Sequence, residues 1–547
     1  MRKLLIGLLC ASIGFAAFSL NACGKNNNEN GGKKPALVNC TAQAISFDGI
    51  NEVDDIDEYD AQKLNGASSN DGPTENGVIV CPYYTLKVGG TEVPVYTTRC
   101  GKNPHSFAMV NIEKSASGNF EALVELTAKK GAALAKNNVT AVILPEKRNV
   151  ENKISGGKLT ARINSFGSFT FAFNKESEQG LTLYVYEKDN FSVPEGWNKE
   201  EISAGEHELA ETQFKNANTV YVFKNGRHLV QSVSIPSNAT VYLEDGAYLE
   251  VNPNGDGARL SAITCAGGGE NIKLYGHGIV DFSACMGGNN SIKGAFNFTG
   301  VTNISVDGLV SINSNSWTVC FTDCINVNLT RMMVFGYRTY SDGIMLSDCQ
   351  DSLVTECFVR TGDDAMETKS TSTSGRTYNV TYENNDCWTD KGIGYGVIWE
   401  TNHSVENVKF INCSVGFAQS NWNSRLGALA IQLGDRYESV TDVHFENIDI
   451  YRSYCPAVIN CELKQKGKLI DKIYFKNVKC GYSEGYLFRL AEVELENDGA
   501  HFGKFYLDNV SMNGTVLTDE NKSSMTKYIL RGSWSPDKNV YINTLED

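Results

Sequence analysis

YSDGIMLSDCQDSLVTECFVRTGDDAMETKS, from Tyr340 to Ser370, carries a lone aspartate (Asp342) and, 21 positions later, the adjacent pair Asp363 and Asp364. Between them lies a strand–turn–strand pattern with no helical period. If that interval is one coil of a stacked β-structure, Asp342 and the pair sit on neighbouring rungs. Hydrogen-bonded strands are about 4.8 Å apart, so three carboxylates would converge on one patch of surface.

The same texture repeats on both sides. NIKLYGHGIV, NISVDGLVSI, NVNLTRMMVF, SLVTECFV, NVTYENNDCW, NVKFINCSV, DVHFENIDIY, KIYFKNVKC and KFYLDNVSM each alternate apolar and polar residues, the period of a strand. Their first apolar residues, Ile272, Ile304, Val327, Leu353, Val380, Val408, Val443, Ile473 and Phe505, recur at intervals of 23 to 35 residues. Asn384, Asn412, Asn447, Asn477 and Asn509 hold one turn position, where stacked amides can hydrogen-bond from coil to coil. A propeller would need four strands per repeat, and helical periods are nearly absent. The expected fold is all-β: a right-handed parallel β-helix over residues 206–547, of nine or ten coils, with the longer intervals forming loops that wall a groove. Upstream, over residues 40–205, short alternating strands such as GVIVCPYYTLKV, FEALVELTA and LTLYVYE are separated by NG, GG and SGG turns. They predict an antiparallel β-sandwich with no catalytic constellation, an accessory domain for packing or carbohydrate contact.

The N-terminus reads as an export signal over residues 1–22: Arg2 and Lys3, then LLIGLLCASIGFAAFSL and Asn21-Ala22-Cys23. LNAC resembles a bacterial lipoprotein box, which implies lipidation at Cys23 and a membrane anchor, with the polar residues 23–39 as tether. The expectation is an exported, membrane-anchored lipoprotein, periplasmic or at the cell surface. The net charge is −15, or −17 once Arg2 and Lys3 leave with the signal, which argues against nucleic acid as a partner. Seven scattered His and no CxxC or His/Cys cluster of zinc spacing predict no metal site. No cofactor motif is visible, and a monomer is expected. Of the 16 Cys, Cys413 occupies a position filled elsewhere by Ile448, Val478 and Val510 and reads as a buried ladder residue. Cys320 with Cys324 and Cys455 with Cys461 are close enough in sequence to pair or to remain free.

INSNSWTVCFTDC through GDDAMETKS resembles the core of the polygalacturonase-type enzymes, glycoside hydrolase family 28. The resemblance rests on Asn313-Ser314 with Trp317, on Asp342-Gly343, on Gly362-Asp363-Asp364 with Lys369, and on LYGHGIVD from Leu274 to Asp281. The dextranase-type family 49 joins a β-sandwich to the same kind of β-helix and also carries Asp…Asp-Asp. Both resemblances imply a glycosidase cleaving α-glycosidic bonds of a polysaccharide with inversion. They imply Asp363 as acid, Asp342 and Asp364 as the groups that position and activate water, and Lys369, Glu400 and Gln432 as substrate contacts. The chemistry agrees on its own terms. Glycoside hydrolysis needs one protonated and one ionised carboxyl, and clustered like charges raise the pKa of one of them. Gly362 would permit the bend that lets Asp363 and Asp364 share a face.

Two features depart from family 28. GIGYGVIWE has no histidine where that family carries Gly-His-Gly, and LAIQLGDR puts Ala430 and Gln432 where it carries a cationic pair for the uronate. His277, in an earlier GHG, is not equivalent. A neutral glycan fits better than a uronate. Trp399, Trp422 and Tyr395 are either sugar platforms or interior aromatics, and Arg425, Asp435 and Arg436 either hydroxyl contacts or surface ion pairs. Two other readings stay open: a β-elimination lyase, with Arg360 the nearest candidate base, and a non-catalytic glycan-binding β-helix.

Overall fold

Alternation of apolar and polar residues along each short segment buries one side chain in two, and the chain stacks those segments into continuous ladders. The computed structural model describes residues 40–52, 77–100, 104–113, 119–174, 179–207, 214–251, 262–265, 267–285, 294–372, 375–420, 426–433, 438–461, 469–492, 502–529 and 535–544. These lie in one compact unit, Val38–Asp547. Cys23 and the signal and tether regions lie outside the described residues, as do Trp422, Arg425, Asp435 and Arg436.

Two sheets form the N-terminal sandwich. One orders Val78–Val80, Tyr96–Thr98, His105–Ile112, Leu181–Glu187, Gly167–Phe173 and Ala141–Leu144; the other orders Thr91–Val93, Tyr84–Val88, Ala122–Ala128, Lys158–Ile163 and Asn152–Ser155. Pairing is antiparallel except between His105–Ile112 and Leu181–Glu187, which run parallel at the centre of the first sheet. The helical ladder already begins at Asn198, upstream of the boundary expected at Gly205: Asn198–Ile202 pairs in parallel with Thr219–Phe223.

The β-helix has three faces. One coil runs through Ile325–Thr330 on the first, Met333–Phe335 on the second and Ile344–Ser347 on the third. The third face is an 11-stranded parallel sheet, more than the nine or ten coils expected. The surplus comes from Val233–Ile235 and Ile263–Cys265, whose coils lie upstream of the first repeat read from the sequence, at Ile272. Side chains inside stack in register, for example Phe298, Phe321, Leu346 and Thr368, or Val443, Ile473 and Phe505. At one coil the repeat differs from the expected phase. Val327 is followed by Ser352 and then Val380, so buried Ser352 takes the inward position and Leu353 is only half-buried. The apolar signal of Leu353 masked that one-residue shift.

The asparagine ladder is present. Asn447 Nδ2 donates to Asn412 Oδ1 (3.1 Å), Asn477 to Asn447 (2.9 Å) and Asn509 to Asn477 (2.8 Å). Each has φ between 54° and 55°, or 49° at Asn509, the left-handed conformation that turns the chain between the first two faces and that asparagine tolerates better than most residues. A second ladder of the same kind joins Asn238, Asn271, Asn303 and Asn326.

The sandwich covers the second face. Phe107, Met109, Tyr184 and Tyr186 share one buried cluster with Ile279, Val310, Ile312, Met333, Phe335 and Phe358, and the Phe107 and Phe335 rings stack at 5.1 Å. All 13 cysteines described are free, Cys320 and Cys324 included: Cys324 points into the helix core, while Cys320, one of an alternate pair of positions, lies on the outer side of the third face. Cys413 is a buried core residue, as its ladder position implied.

Candidate active site

The loops that pass from the second face to the third deliver the aspartates. Gly343 N–H donates to Asp364 O (2.8 Å) and Ile344 N–H to Ala365 O (2.9 Å), so Asp342 and Asp364 occupy equivalent positions on adjacent coils. Each stands just before a strand of the third face, Ile344–Ser347 and Met366–Ser370. Trp317 holds the same position one coil earlier. Asp363 reaches back to the coil of Asp342: its Oδ2 accepts from Tyr340 N–H (3.1 Å) and its Oδ1 from Asp364 N–H (3.0 Å). The expected bend is there, and its glycine is needed for space. A Cβ on Gly362 would stand 2.9 Å from Tyr337 O.

The loop carrying Asp342 is clamped from below. The fully buried Arg338 donates to the carbonyls of Cys285 (2.8 Å), Asn313 (3.0 Å), Ser283 (3.3 Å) and Phe282 (3.4 Å). Asn313 in turn donates to Ser283 Oγ (2.8 Å) and to Thr98 Oγ1 of the sandwich (3.3 Å). The sandwich thus supports the same turns that hold the carboxylates.

Burial and mutual repulsion set the charges. Asp342 is pushed up to about 7, first by burial and then by Asp363, against the pull of Lys369. Burial, Asp363 and Asp342 hold Asp364 well above the usual carboxylate range, although Ile393 N–H donates to its Oδ1 (2.7 Å). Asp363 is also raised by burial, and the Tyr340 N–H, Lys369, Asp364 N–H and Lys391 partly offset this. It is the one member of the trio in partial contact with solvent.

Lys369 sits among them, 3.6 Å from Asp342, 3.3 Å from Glu367 and 2.9 Å from Glu400, with its ammonium 4.7 Å above the Trp317 ring. Burial alone would lower its pKa; Glu367, Glu400, Asp342 and Asp364 instead hold it well above the usual value. Burial would raise Glu400, but Lys369 draws it below the usual range. One oxygen each of Asp342, Asp364 and Glu367 lies within 4.8 Å of the others, a spacing that a small cation could span, and the Lys369 ammonium brings positive charge there.

Glu367 escaped the sequence reading. It was legible: strand side chains alternate, so position 367 faces the same way as Lys369. Burial of Gln432 is nearly complete; it lies two coils on, on the outer side of the same sheet, in register with Ile398 and Asn460. The structure therefore brings Asp342, Asp363, Asp364, Lys369 and Glu400 together and puts Gln432 further along the same face.

Where the histidine is missing, Ile393 and Ile398 join Leu426, Ala430, Cys455 and Val458 in an apolar cluster, with Trp399 and Tyr454 packed against it. Tyr395 is interior, donating to Asn385 O (2.9 Å) or Ser414 O (3.0 Å) inside the helix, so it is no sugar platform. Arg360 is buried beneath the sandwich, 2.7 Å from His105 Nδ1, 3.4 Å from Asp390 and 3.6 Å above the Trp388 ring, with no access to the groove as a base. His277 is buried at the same seam, 2.9 Å from Asp245 and against Tyr186.

A parallel β-helix with aspartates converging on its third face defines a class of carbohydrate-active proteins, and the sequence comparisons narrow it. The profile of the glycosyl hydrolases family 28 matches residues 256–530, half of the chain, and the protein belongs to that family. It is 24% identical over 205 residues to polygalacturonase QRT2 of Arabidopsis thaliana, covering 36% of this chain and 44% of that one. It is 24% identical over 232 residues to a polygalacturonase of Prunus persica, covering 40% and 56% respectively. The chain thus spans about half the length of these relatives. Among solved structures, Dex49A from Penicillium minioluteum superposes with a TM-score of 0.54 at 12% identity, over 93% of this chain and 100% of that one, a likeness of fold across both sandwich and helix.

Proposed function

We propose that this protein is a glycoside hydrolase that cleaves α-glycosidic bonds of a polysaccharide, with inversion and with a neutral sugar at the point of cleavage. The observation that carries this reading is the in-register stack of Asp342 and Asp364 with Asp363 beside them, all three raised by burial. Such a trio retains a proton near neutrality, and a hydrolase of this kind needs one acid and one base on opposite sides of the bond. Asp363, the member that meets solvent, hands its proton to the leaving oxygen. Asp342 and Asp364 orient a water and take its proton as it attacks the anomeric carbon. Glu400, half-exposed and paired with Lys369, accepts sugar hydroxyls, and Gln432 does so further along the groove.

The preference for a neutral sugar follows from Lys369. It matches the position of a family cation, yet three carboxylates engage it within 3.6 Å, and the cluster packed on the following coils is buried and apolar. Among the described residues, Lys369 is already matched by carboxylates and has no unpaired charge to offer a uronate. The burial of Arg360 removes the base a lyase reading relied on. We propose further that the chain is exported and held at a membrane by a lipid on Cys23.

The test is release of reducing ends from a panel of neutral α-glucans and of acidic pectic polymers, by the wild type and by Asp363→Asn. Expected are reducing ends from a neutral polymer, no unsaturated product, and a loss of about 100-fold or more in the variant, the usual worth of a positioned general acid. Full activity in Asp363→Asn, or release only from the acidic polymers, overturns the proposal.

A further inference from the structure

Glu367 is a fourth carboxyl in the cluster, and its surroundings are unlike those of the other three. Along the outer side of the third face the residues in register with it are Cys320 and Met345 on the preceding coils and Gly396, Ala430 and Val458 on the following ones. Among these six positions it is the single carboxyl. Gly396 leaves it no room to be covered by a larger neighbour's side chain, because a Cβ there would meet Ala430 O at 2.1 Å. Glu367 is fully buried, and neither of its oxygens has a well-formed hydrogen bond. One of them lies within 4.8 Å of a carboxylate oxygen of both Asp342 and Asp364.

The groups facing it are Asp342 and Asp364 from the preceding turns, Lys369 on its own strand, and Cys320 below; the Tyr382 hydroxyl, inside the helix, donates to its backbone carbonyl (2.6 Å). Lys369 is the nearest cation, at 3.3 Å, and it is shared with Glu400 and Asp342. An ionised Glu367 would therefore stand beside two further carboxylates with a third of one ammonium.

We propose that Glu367 is a positioning residue that stays a neutral carboxylic acid and donates its hydrogen bond to Asp342, so that Asp342 is the carboxyl left ionised to act as base. The proposal rests on the hydrolase reading for its kinetic consequence. Geometry and charge agree with it. Both Glu367 oxygens are buried without a well-formed hydrogen bond, and one lies within 4.8 Å of an Asp342 oxygen. Burial holds Glu367 well above the usual glutamate range, and a hydrogen bond from a neutral Glu367 favours the ionised form of Asp342. This assigns to one side chain of the Met366–Ser370 strand the control of protonation that GIGYGVIWE, without a histidine, does not supply.

The test compares Glu367→Ala, Glu367→Gln and wild type in the pH dependence of kcat/KM, with infrared difference spectra of the full-length protein. Glu367→Ala removes the donor, so the acidic limb set by Asp342 moves up by about one pH unit. Glu367→Gln keeps a neutral donor of the same length and returns the limb to its wild-type place. The infrared difference between wild type and Glu367→Gln shows the C=O stretch of one protonated carboxylic acid at neutral pH. A limb displaced equally by Gln and Ala, or no carboxylic acid band in the difference, overturns the proposal. Wild type inactive on every polysaccharide but with the band present refutes the hydrolase reading and leaves the neutral Glu367 standing.

Discussion

Lys369→Met replaces a buried ammonium by an apolar chain of similar volume, and its effect can be worked from the distances around it. At 3.6 Å from Asp342, the ammonium stabilises the carboxylate by about 4.6 kcal/mol at an effective dielectric constant near 20, or roughly 3 pKa units. Asp342 titrates at about 7 with the lysine present. In the variant it stays protonated well beyond that. A carboxyl whose folded pKa lies above its unfolded value stabilises the fold at low pH and loses that stability as the pH rises through the folded value. The variant therefore falls behind the wild type by about 1.4 kcal/mol for each pH unit above 7, near 3 kcal/mol at about pH 9. Glu400 works in the same direction. Lys369 holds its pKa below the usual value, so the pair stabilises the wild type above the unfolded glutamate pKa, and the variant lacks that gain. Unfolding entropy near 2.1 cal/mol/K per residue converts 3 kcal/mol to a Tm difference of roughly 3 °C for a chain of this size. Thermal unfolding of both proteins at about pH 5, 7 and 9 reads it directly. A Tm deficit that is constant with pH, or largest at about pH 5, refutes the charge balance described for the site.

Arg360→Met removes a buried guanidinium that holds His105 and Asp390 and stacks on Trp388; stability falls by about 3 kcal/mol in denaturant titration while kcat/KM per folded molecule stays within about twofold, whereas a lyase base would lose nearly all activity. Asn447→Ala keeps the β-carbon at φ 55° but loses the amide that eases a left-handed backbone and bonds to Asn412 and Asn477, which lowers stability by about 1–3 kcal/mol; Asn447→Gly loses the same bonds but relieves the backbone and falls between Ala and wild type. Phe107→Ala opens the seam against Phe335 and costs about 3–5 kcal/mol, and calorimetry still gives one transition because sandwich and helix share that core.

Much of this was written plainly in the chain. A strand buried on one side has a period of two, so each repeat announced its own inward face, and the asparagines marked the turns because few other residues accept a left-handed backbone. Asp342 and Asp364 were legible as rung neighbours once the repeat was read. Other features were not. Leu353 outscored Ser352 on hydrophobicity, yet register is decided by the coils on either side, which a single segment does not reveal. Tyr395 was ambiguous because an aromatic beside the groove and one inside the helix differ only in strand phase. Arg360 stood as the nearest candidate base for a lyase because the sandwich that buries it comes from residues some 250 positions earlier.

Glu367 shows the same limit at the heart of the site. Its alternation with Lys369 was visible, but its meaning depends on Met345 below, Gly396 above and two carboxylates from another turn. Those neighbours turn an ordinary strand glutamate into a group that must share one ammonium or keep its proton. The same crowding bears on what the groove can hold. Asp342, Asp364, Glu367 and Glu400 all act on Lys369, and the coils beyond bury Ile393, Ile398, Ala430 and Val458 in an apolar cluster. On the proposed reading, a further carboxylate brought by the substrate would enter a site whose ammonium, Lys369, is already shared among carboxylates. A neutral sugar avoids that penalty. On that reading, the chemistry of bond cleavage and the choice of sugar both depend on one charge balance, centred on Lys369.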